Sequence, residues 1–431
     1  MRTEHDMLGT RSLSDDTLYG LQTLRAKENF ITSYHTTNLS LIYAMVQVKK
    51  AAALSYRELH PEESQKWDAI LCACDRILAG DVDDAFCTSA LQGGAGTSTN
   101  MNVNEVIANL ALTVLGQAPG NYDTIHPLDD VNRGQSTNDV YPTALRIAAI
   151  QKLRLLSDAC ASLQESLQKK ELEFDHIEKL GRTELMDAME VTLGSEFGAF
   201  AQGIARDRWR LYKIEERLRQ VNLGGTAVGT GAHADRRYRY LVIEHLRNLT
   251  DIGLATAEYP MDITQNQDVF VEVSGLLKSL AVNLMKIASD LRLMASGPFG
   301  GLREITLPAL QRGSTIMPGK VNPVMPEMVS QAAMLVIAND TAITLAASNG
   351  NFELNAFLPL IADSLLESLE LLRDTVILFQ KNCIDGILAD EQSCLETLKC
   401  SRIDLYHRST EIGYDKAEEQ YYQAKSDTTP E

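Results

Sequence analysis

Basic residues are in short supply in this chain. It sets 40 lysines and arginines against 58 aspartates and glutamates, a formal net charge of −18. Nothing in that balance attracts nucleic acid or an anionic membrane surface. A cleft for an anionic ligand would need donors placed locally. Long apolar runs are missing as well: none approaches the roughly 18 residues that suggest a membrane span. The opening Met1-Arg-Thr-Glu-His-Asp6 lacks the basic and apolar stretches of a secretory leader, so a cytoplasmic protein is expected. Cysteine is sparse and unpatterned. The seven, at 72, 74, 87, 160, 383, 394 and 400, are odd in number and irregularly spaced, which argues against a disulfide framework. Cys72 and Cys74 form a C-x-C without a second pair nearby, and burial without a ligand role is the expectation there. No internal repeat or low-complexity tract is present, and few segments alternate with the period of a strand. Only residues 426–431 read as a frayed tail.

What the chain has in quantity is helical periodicity. From Gln267 to Ser296 apolar residues fall at Val269, Val273, Leu276, Leu280, Leu284, Ile287, Leu291 and Met294, all three or four apart. That predicts one helix of about 30 residues, roughly 45 Å long. A second run begins after Pro142 and passes through Leu145, Ala149, Leu153, Leu156, Cys160, Leu163 and Leu167. A third runs from Leu193 to Leu218, and Leu335–Leu345 and Leu358–Phe379 continue the pattern. Helices this long exceed the usual three or four turns and must bury their apolar length against one another. Packing into a bundle shared between copies of the chain is the natural outcome.

Polar, glycine-bearing segments separate these helices, and functional groups usually sit on such loops. In Gly313–Glu327 three prolines and two glycines argue against a regular helix from Gly313 to Pro326, while Ser314, Thr315, Lys320 and Asn322 bring hydroxyls, a cation and an amide together. The segment reads either as a mobile lid or as a plain surface turn. Gly93–Glu105 combines glycines with Thr97, Ser98 and Thr99, but no G-K-[ST] follows, so it is not a phosphate loop. Asp130–Pro142 places Ser136, Thr137 and Asn138 directly before a helix, as N-caps or as an anion site.

Together these segments resemble the aspartase/fumarase superfamily. Gly313–Pro323 is similar to its signature G-S-x-x-M-P-x-K-x-N-P, Gly93–Asn109 to G-G-A-G-T-S-x-N-M-N-x-N-E-x-x-A-N, and Gln135–Pro142 to Q-S-T-N-D-x-x-P. Asn222–Gly231 and the opening Glu4-His5-Asp6 with Tyr19-Gly20 and Gln22–Arg25 are closest to the aspartase branch. The resemblance spans roughly residues 1–390.

It implies a mostly α, three-domain fold: a mixed N-terminal domain over 1–137, a central long-helix bundle over 138–392, and a shortened helical C-terminal segment over 393–431. It also implies a homotetramer with each site assembled from three subunits. The chemistry implied is anti elimination of ammonia from L-aspartate to give fumarate, through an enediolate-like intermediate, with neither redox cofactor nor metal. Ser314 matches the base, and a serine hydroxyl needs a cation and backbone donors to favour its alkoxide. Lys320 and Asn322 match binders of a substrate carboxylate, Thr97, Ser136, Thr137 and Thr315 the donors around the β-carboxylate, and Asn138 and Thr183 positions beside the amino group.

Four departures stand out. Glu184 replaces the histidine of fumarases, or the histidine or glutamine of aspartases, in G-R-T-[HQ]-x-x-D-A-x-P, and so argues against fumarase. It adds a carboxylate beside the place of the substrate's cation. Glu190 replaces the proline of the same motif. Phe299 stands for an arginine in Gly297–Glu304, where Arg303 fills a variable position. The C-terminal segment is short. These departures leave two further readings open: an ergothionase-like amine lyase that releases trimethylamine from a betaine, and a catalytically silent structural tetramer.

Overall fold

The computed structural model describes residues 1–31 and 33–426, with side chains described as far as residue 423. The expected frayed tail lies outside the described residues, except that the backbone at Ser426 closes the last helix.

Helices dominate, as the periodicity predicts. They are α1 (Leu21–Asn29), α2 (Leu39–Leu59), α3 (Ser64–Leu78), α4 (Thr97–Val114), α5 (Thr137–Glu173), α6 (Leu193–Leu218) and α7 (Arg236–Thr250). After these come α8 (Pro260–Gln265), α9 (Asp268–Met294), α10 (Val324–Ala347), α11 (Leu358–Asn382), α12 (Glu391–Cys400), α13 (Ile403–Ile412) and α14 (Tyr414–Ser426). Strands among the described residues form four two-stranded sheets. They pair β1 (Arg2–Asp6) with β2 (Gly9–Leu13), β3 (Glu178–Thr183) with β4 (Met186–Thr192), β5 (Gln220–Val221) with β6 (Ala255–Thr256), and β7 (Ile305–Thr306) with β8 (Leu388–Ala389).

Two helix starts differ from expectation. α5 begins at Thr137, five residues before Pro142, because the proline sits in its second turn. Pro142 has no N–H for the carbonyl of Asn138. Asn222 Nδ2 donates to that carbonyl instead, at 2.9 Å, so the helix continues through the proline. α10 begins at Val324, and Pro326 falls in its first turn, where a missing N–H costs nothing.

The chain divides into two compact units. The first comprises Met1–Leu156, Arg210–Lys278 and Val336–Glu370; the second comprises Ser157–Trp209, Ser279–Leu335 and Leu371–Glu431. In the first, α2 packs on α3 and α7, α3 on α4, and α1 on α4. A stack of Tyr56 on Trp67 and Tyr238, at centroid distances of 5.4 and 4.7 Å, joins α2, α3 and α7. Ion pairs with one buried and one half-exposed partner link the long helices of this unit: Lys152 of α5 meets Glu370 of α11, and Lys278 of α9 meets Asp340 of α10 at 2.6 Å. In the second unit β3 and β4 form a hairpin, α12 packs on β3, and α13 packs on β4 and α14.

The apolar stripe of α9 is wider than the chain covers. Phe270, Val273, Leu277, Leu280, Leu284, Ile287 and Leu291 are buried, but Val269 and Leu276 are only half covered and Val282 is 49% exposed. α10 is long and apolar enough to cross a membrane by length and composition, although Glu327 and Asp340 interrupt it, and only 33% of its most apolar window is buried. Met334, Leu335 and Leu345 are its exposed apolar residues.

Candidate active site

The first cluster lies where α4 and α5 begin. Thr97 opens α4, is exposed, and donates its hydroxyl to the carbonyl of Gly94 at 2.7 Å. Gly96 precedes it with φ 91°, and a Cβ there would meet the Tyr141 ring of α5 at 2.2 Å. The absence of a side chain at residue 96 therefore lets the two helix starts approach. Ser136 and Asp139 form a capping box on α5: Ser136 Oγ accepts from Asn138 N at 3.2 Å, and Asp139 Oδ1 accepts from Ser136 N at 3.0 Å. Asp139 Oδ2 accepts from Gly224 N and Thr226 N at 3.0 and 2.9 Å, which ties the Asn222–Gly231 segment to the same helix start. Asn138 donates its amide to the carbonyl of Ala227 at 2.7 Å. Thr97, Ser136, Thr137 and Asn138 are thus gathered at two helix N-termini, whose dipoles favour an anion.

Behind them lies a buried polar layer that was not singled out from the sequence. Asn100 Nδ2 donates to Thr137 Oγ1 at 3.1 Å and to Asn132 Oδ1 at 3.2 Å. The same Asn132 oxygen accepts from Lys49 Nζ at 2.7 Å. Lys49 is 1% exposed, and burial pulls its ammonium down to about 7, opposed by the charge of Asp139. Burial pushes the Asp139 carboxyl up to about 6, against its three backbone donors and Lys49. One signal was available: at three- and four-residue spacings Lys49 shares the face of Ile42, Met45, Ala52 and Tyr56, which is apolar apart from it.

The second cluster is the loop 313–323 of the second unit. A Cβ at Gly313 would lie 2.6 Å from the carbonyl oxygen of Lys320, so the neck of this loop also requires glycine. Gly313 N donates to Lys320 O at 2.9 Å and Asn322 Nδ2 donates to Gly313 O at 2.8 Å, which closes the neck. Asn322, matched to carboxylate binding by resemblance, thus uses its amide nitrogen to shape the loop. Ser314 Oγ accepts from Ile316 N at 3.2 Å and Met317 N at 3.0 Å. Two backbone dipoles aimed at one hydroxyl oxygen favour its deprotonated form. Ser314, Thr315 and Lys320 line a concavity of about 600 Å³, and Lys320 is exposed, with no hydrogen-bond partner for its ammonium among the described residues.

Thr183 and Glu184 sit at the tip of the β3–β4 hairpin. Thr183 pairs with Met186, so Glu184 and Leu185 form the two-residue turn, with φ 53° and 67°. Such positive values are uncommon outside glycine and are what a type I′ turn requires. Both side chains are exposed. Below the tip, Glu304 anchors the hairpin by ion pairs to Arg182 at 2.6 Å and Lys179 at 2.7 Å. Among the described residues, no group of three or more His, Cys, Asp or Glu side chains is placed to hold a metal ion.

The family model described as "Lyase" matches residues 9–338. The chain belongs to the aspartase/fumarase lyase family. The aspartate ammonia-lyase of Helicobacter pylori is 44% identical over 97% of this chain and 90% of its own length. That of Escherichia coli is also 44% identical, over 91% of this chain and 83% of its own length. Among solved structures, a fumarate lyase:delta crystallin from Brucella melitensis bound to cobalt superposes with a TM-score of 0.95 at 44% identity, covering 99% of this chain and 93% of that one. A class II fumarase from Schistosoma mansoni gives the same TM-score at 31% identity, over 99% of this chain and 92% of its own.

Within this lyase family, much of the shared wording is scaffold. Glu105, from the Gly93–Asn109 motif, is buried and accepts from Gly20 N, Gln22 N, Thr23 N and Thr23 Oγ1, capping α1. Asp6 accepts from Arg25 at 2.6 and 2.9 Å. Asn109 spans Leu18 O and Gly120 N. The opening motif of the chain therefore fixes a helix, while Thr97, Thr315 and Lys320 are exposed and Ser136 and Ser314 half-exposed.

Proposed function

We propose that this chain is an aspartate ammonia-lyase. The observation that carries the proposal is Ser314, held in the signature loop with two backbone N–H groups on its oxygen, in a chain 44% identical to aspartate ammonia-lyases along nearly its whole length. The Ser314 alkoxide takes a proton from the carbon beside the β-carboxylate, and the electron pair moves onto the carboxylate oxygens as an enediolate. Ser136, Thr137 and Thr315, joined by Thr97 once its hydroxyl turns from the Gly94 carbonyl, donate to those oxygens as their charge grows, where one preorganised donor is worth about 3–4 kcal/mol. Collapse of the enediolate forms the double bond, and the C–N electron pair departs with nitrogen as ammonia. Lys320 and Asn322 bind carboxylate, while Asn138, Thr183 and Glu184 surround the amino group.

The working unit in this proposal is a cytoplasmic homotetramer, each site drawing its clusters from three subunits. The half-covered stripe of α9 and the exposed Met334, Leu335 and Leu345 of α10 support it, because apolar helix faces left exposed mark interaction surfaces. Incubation with L-aspartate should raise the ultraviolet absorbance of fumarate and release ammonia in equal amount. No turnover would overturn the reading.

A second reading rests on Glu184, whose exposed carboxylate has no hydrogen-bond or ion-pair partner among the described residues. A fixed negative charge there suits a permanent cation such as trimethylammonium. Turnover of a betaine substrate with none of aspartate would favour it.

A further inference from the structure

Three features meet in the second unit: Glu190, which departs from the family wording, Arg303 and the C-terminal segment. Arg303, at φ 56°, donates from Nε to Ser393 Oγ at 2.8 Å and pairs with Asp390 at 3.5 Å and Glu396 at 4.0 Å. It therefore grips the first turns of α12, whose cap is Asp390. The next residue, Glu304, grips β3 through Lys179 and Arg182. Two adjacent side chains thus hold the hairpin and the C-terminal segment to one point. On the other strand, Glu190 of β4 pairs with His407 of α13 at 2.9 Å. A proline at 190 would supply no acceptor for that histidine. α12 packs on β3 and α13 on β4, so the segment borders both strands, while residues 183–187 project uncovered.

We propose that the C-terminal segment clamps the β3–β4 hairpin, through Glu190–His407 and through Arg303, and so sets the position of the Thr183–Glu184 turn at the substrate's amino group. Glu190, His407 and Arg303 are then positioning residues. The inference rests on the proposed function for the place of Glu184. Its physical basis is the division of labour along the hairpin. The turn is a tight two-residue connection with both residues at positive φ, so the paired strands lead directly to it. A change of angle at the base is carried to the tip along those strands. An exposed ion pair adds little to global stability. Its effect is expected in the placement of the turn and not in whether the protein folds.

Two measurements on the full-length protein test the clamp. Hydrogen exchange reads the amides of residues 183–189 in wild type, Glu190→Gln, His407→Ala and the double variant, and steady-state kinetics on L-aspartate read KM and kcat. Faster exchange confined to the hairpin is expected in each single variant, with KM raised about threefold and kcat nearly unchanged, the pattern of lost ground-state binding. The double variant should be no worse than the singles, because one interaction has been removed. The swapped pair E190K/H407D should restore both readouts towards wild type. Unchanged exchange overturns the clamp, and faster exchange with unchanged KM overturns its role in placing Glu184. Failure of the parent reading looks different: wild type would not turn over aspartate, while the exchange test would remain readable.

Discussion

Asn100 Nδ2 donates to Thr137 Oγ1 across 3.1 Å, on the buried side of the α5 N-terminus. The bond occupies one lone pair of the hydroxyl oxygen and leaves the hydroxyl proton directed elsewhere, available to a ligand oxygen. Asn100→Ala should therefore let the Thr137 hydroxyl rotate. An intramolecular hydrogen bond contributes about 0.5–1.5 kcal/mol, so kcat/KM for aspartate should fall by up to about tenfold. Steady-state kinetics decide it, and an unchanged kcat/KM would show that the bond has no bearing on the donor.

Ser314→Ala removes the oxygen on which two backbone N–H groups converge. Turnover should be nearly abolished with the oligomer intact by size-exclusion chromatography. Activity within about threefold of wild type, less than 1 kcal/mol of barrier, would remove Ser314 from the role of base.

Lys320 offers an exposed ammonium to a dianion in a protein of net charge −18. Replacing it with Met should weaken competitive inhibition by succinate by about 1 kcal/mol or more, just below the range for a charged hydrogen bond. An unaltered inhibition constant would place it outside the carboxylate site.

Glu184→Gln separates the two substrate readings. For aspartate, a neutral amide beside the ammonium should keep turnover within about tenfold, or 1.4 kcal/mol. For a permanent cation the loss should be larger and most marked at low salt, since only Coulomb attraction is at stake. Kinetics on L-aspartate and ergothioneine, with wild type and variant, distinguish them.

Lys49 gives a pH prediction. Its ammonium titrates near 7 in the folded protein and near 10.5 when unfolded. Between those values the unfolded chain holds the extra proton, so this group makes stability rise with pH, by at most about 1.4 kcal/mol per pH unit. The stability difference between wild type and Lys49→Met, from urea unfolding at one protein concentration, should therefore shift in favour of wild type from pH 7 upward. A pH-independent difference would contradict the burial of a titrating amine.

The long helices were legible because three- and four-residue spacing survives any detail of packing. α9 departs from its expected span by one or two residues at each end. The starts of α5 and α10 were misplaced, because proline looks like a boundary until the group that accommodates it is seen; for α5 that group is Asn222, which is 84 residues from the Asn138 carbonyl it takes. The segments bearing Ser314, Thr97 and Thr137 could be read from their wording. The layer of Asn100, Asn132 and Lys49 could not, since its members gain meaning only from one another's positions in space. Glu190 illustrates the same limit: in sequence it is a lost proline, and in the fold it is the partner of His407.

The first turn of α5 also has a temporal consequence. Its cap residue Asp139 and the carbonyl beside Pro142 take their partners from Asn222, Gly224 and Thr226. On the ribosome, α5 and its hydroxyls leave the exit tunnel before those partners do. Until residue 226 has cleared the exit tunnel, Asp139 keeps only the donor of its own capping box and the Asn138 carbonyl faces water. A nascent chain ending short of that point carries every proposed β-carboxylate donor of the first unit, yet lacks the far segment that finishes the helix start. The N-terminal end of α5 thus gains its last partners on the schedule of synthesis and not on that of helix formation.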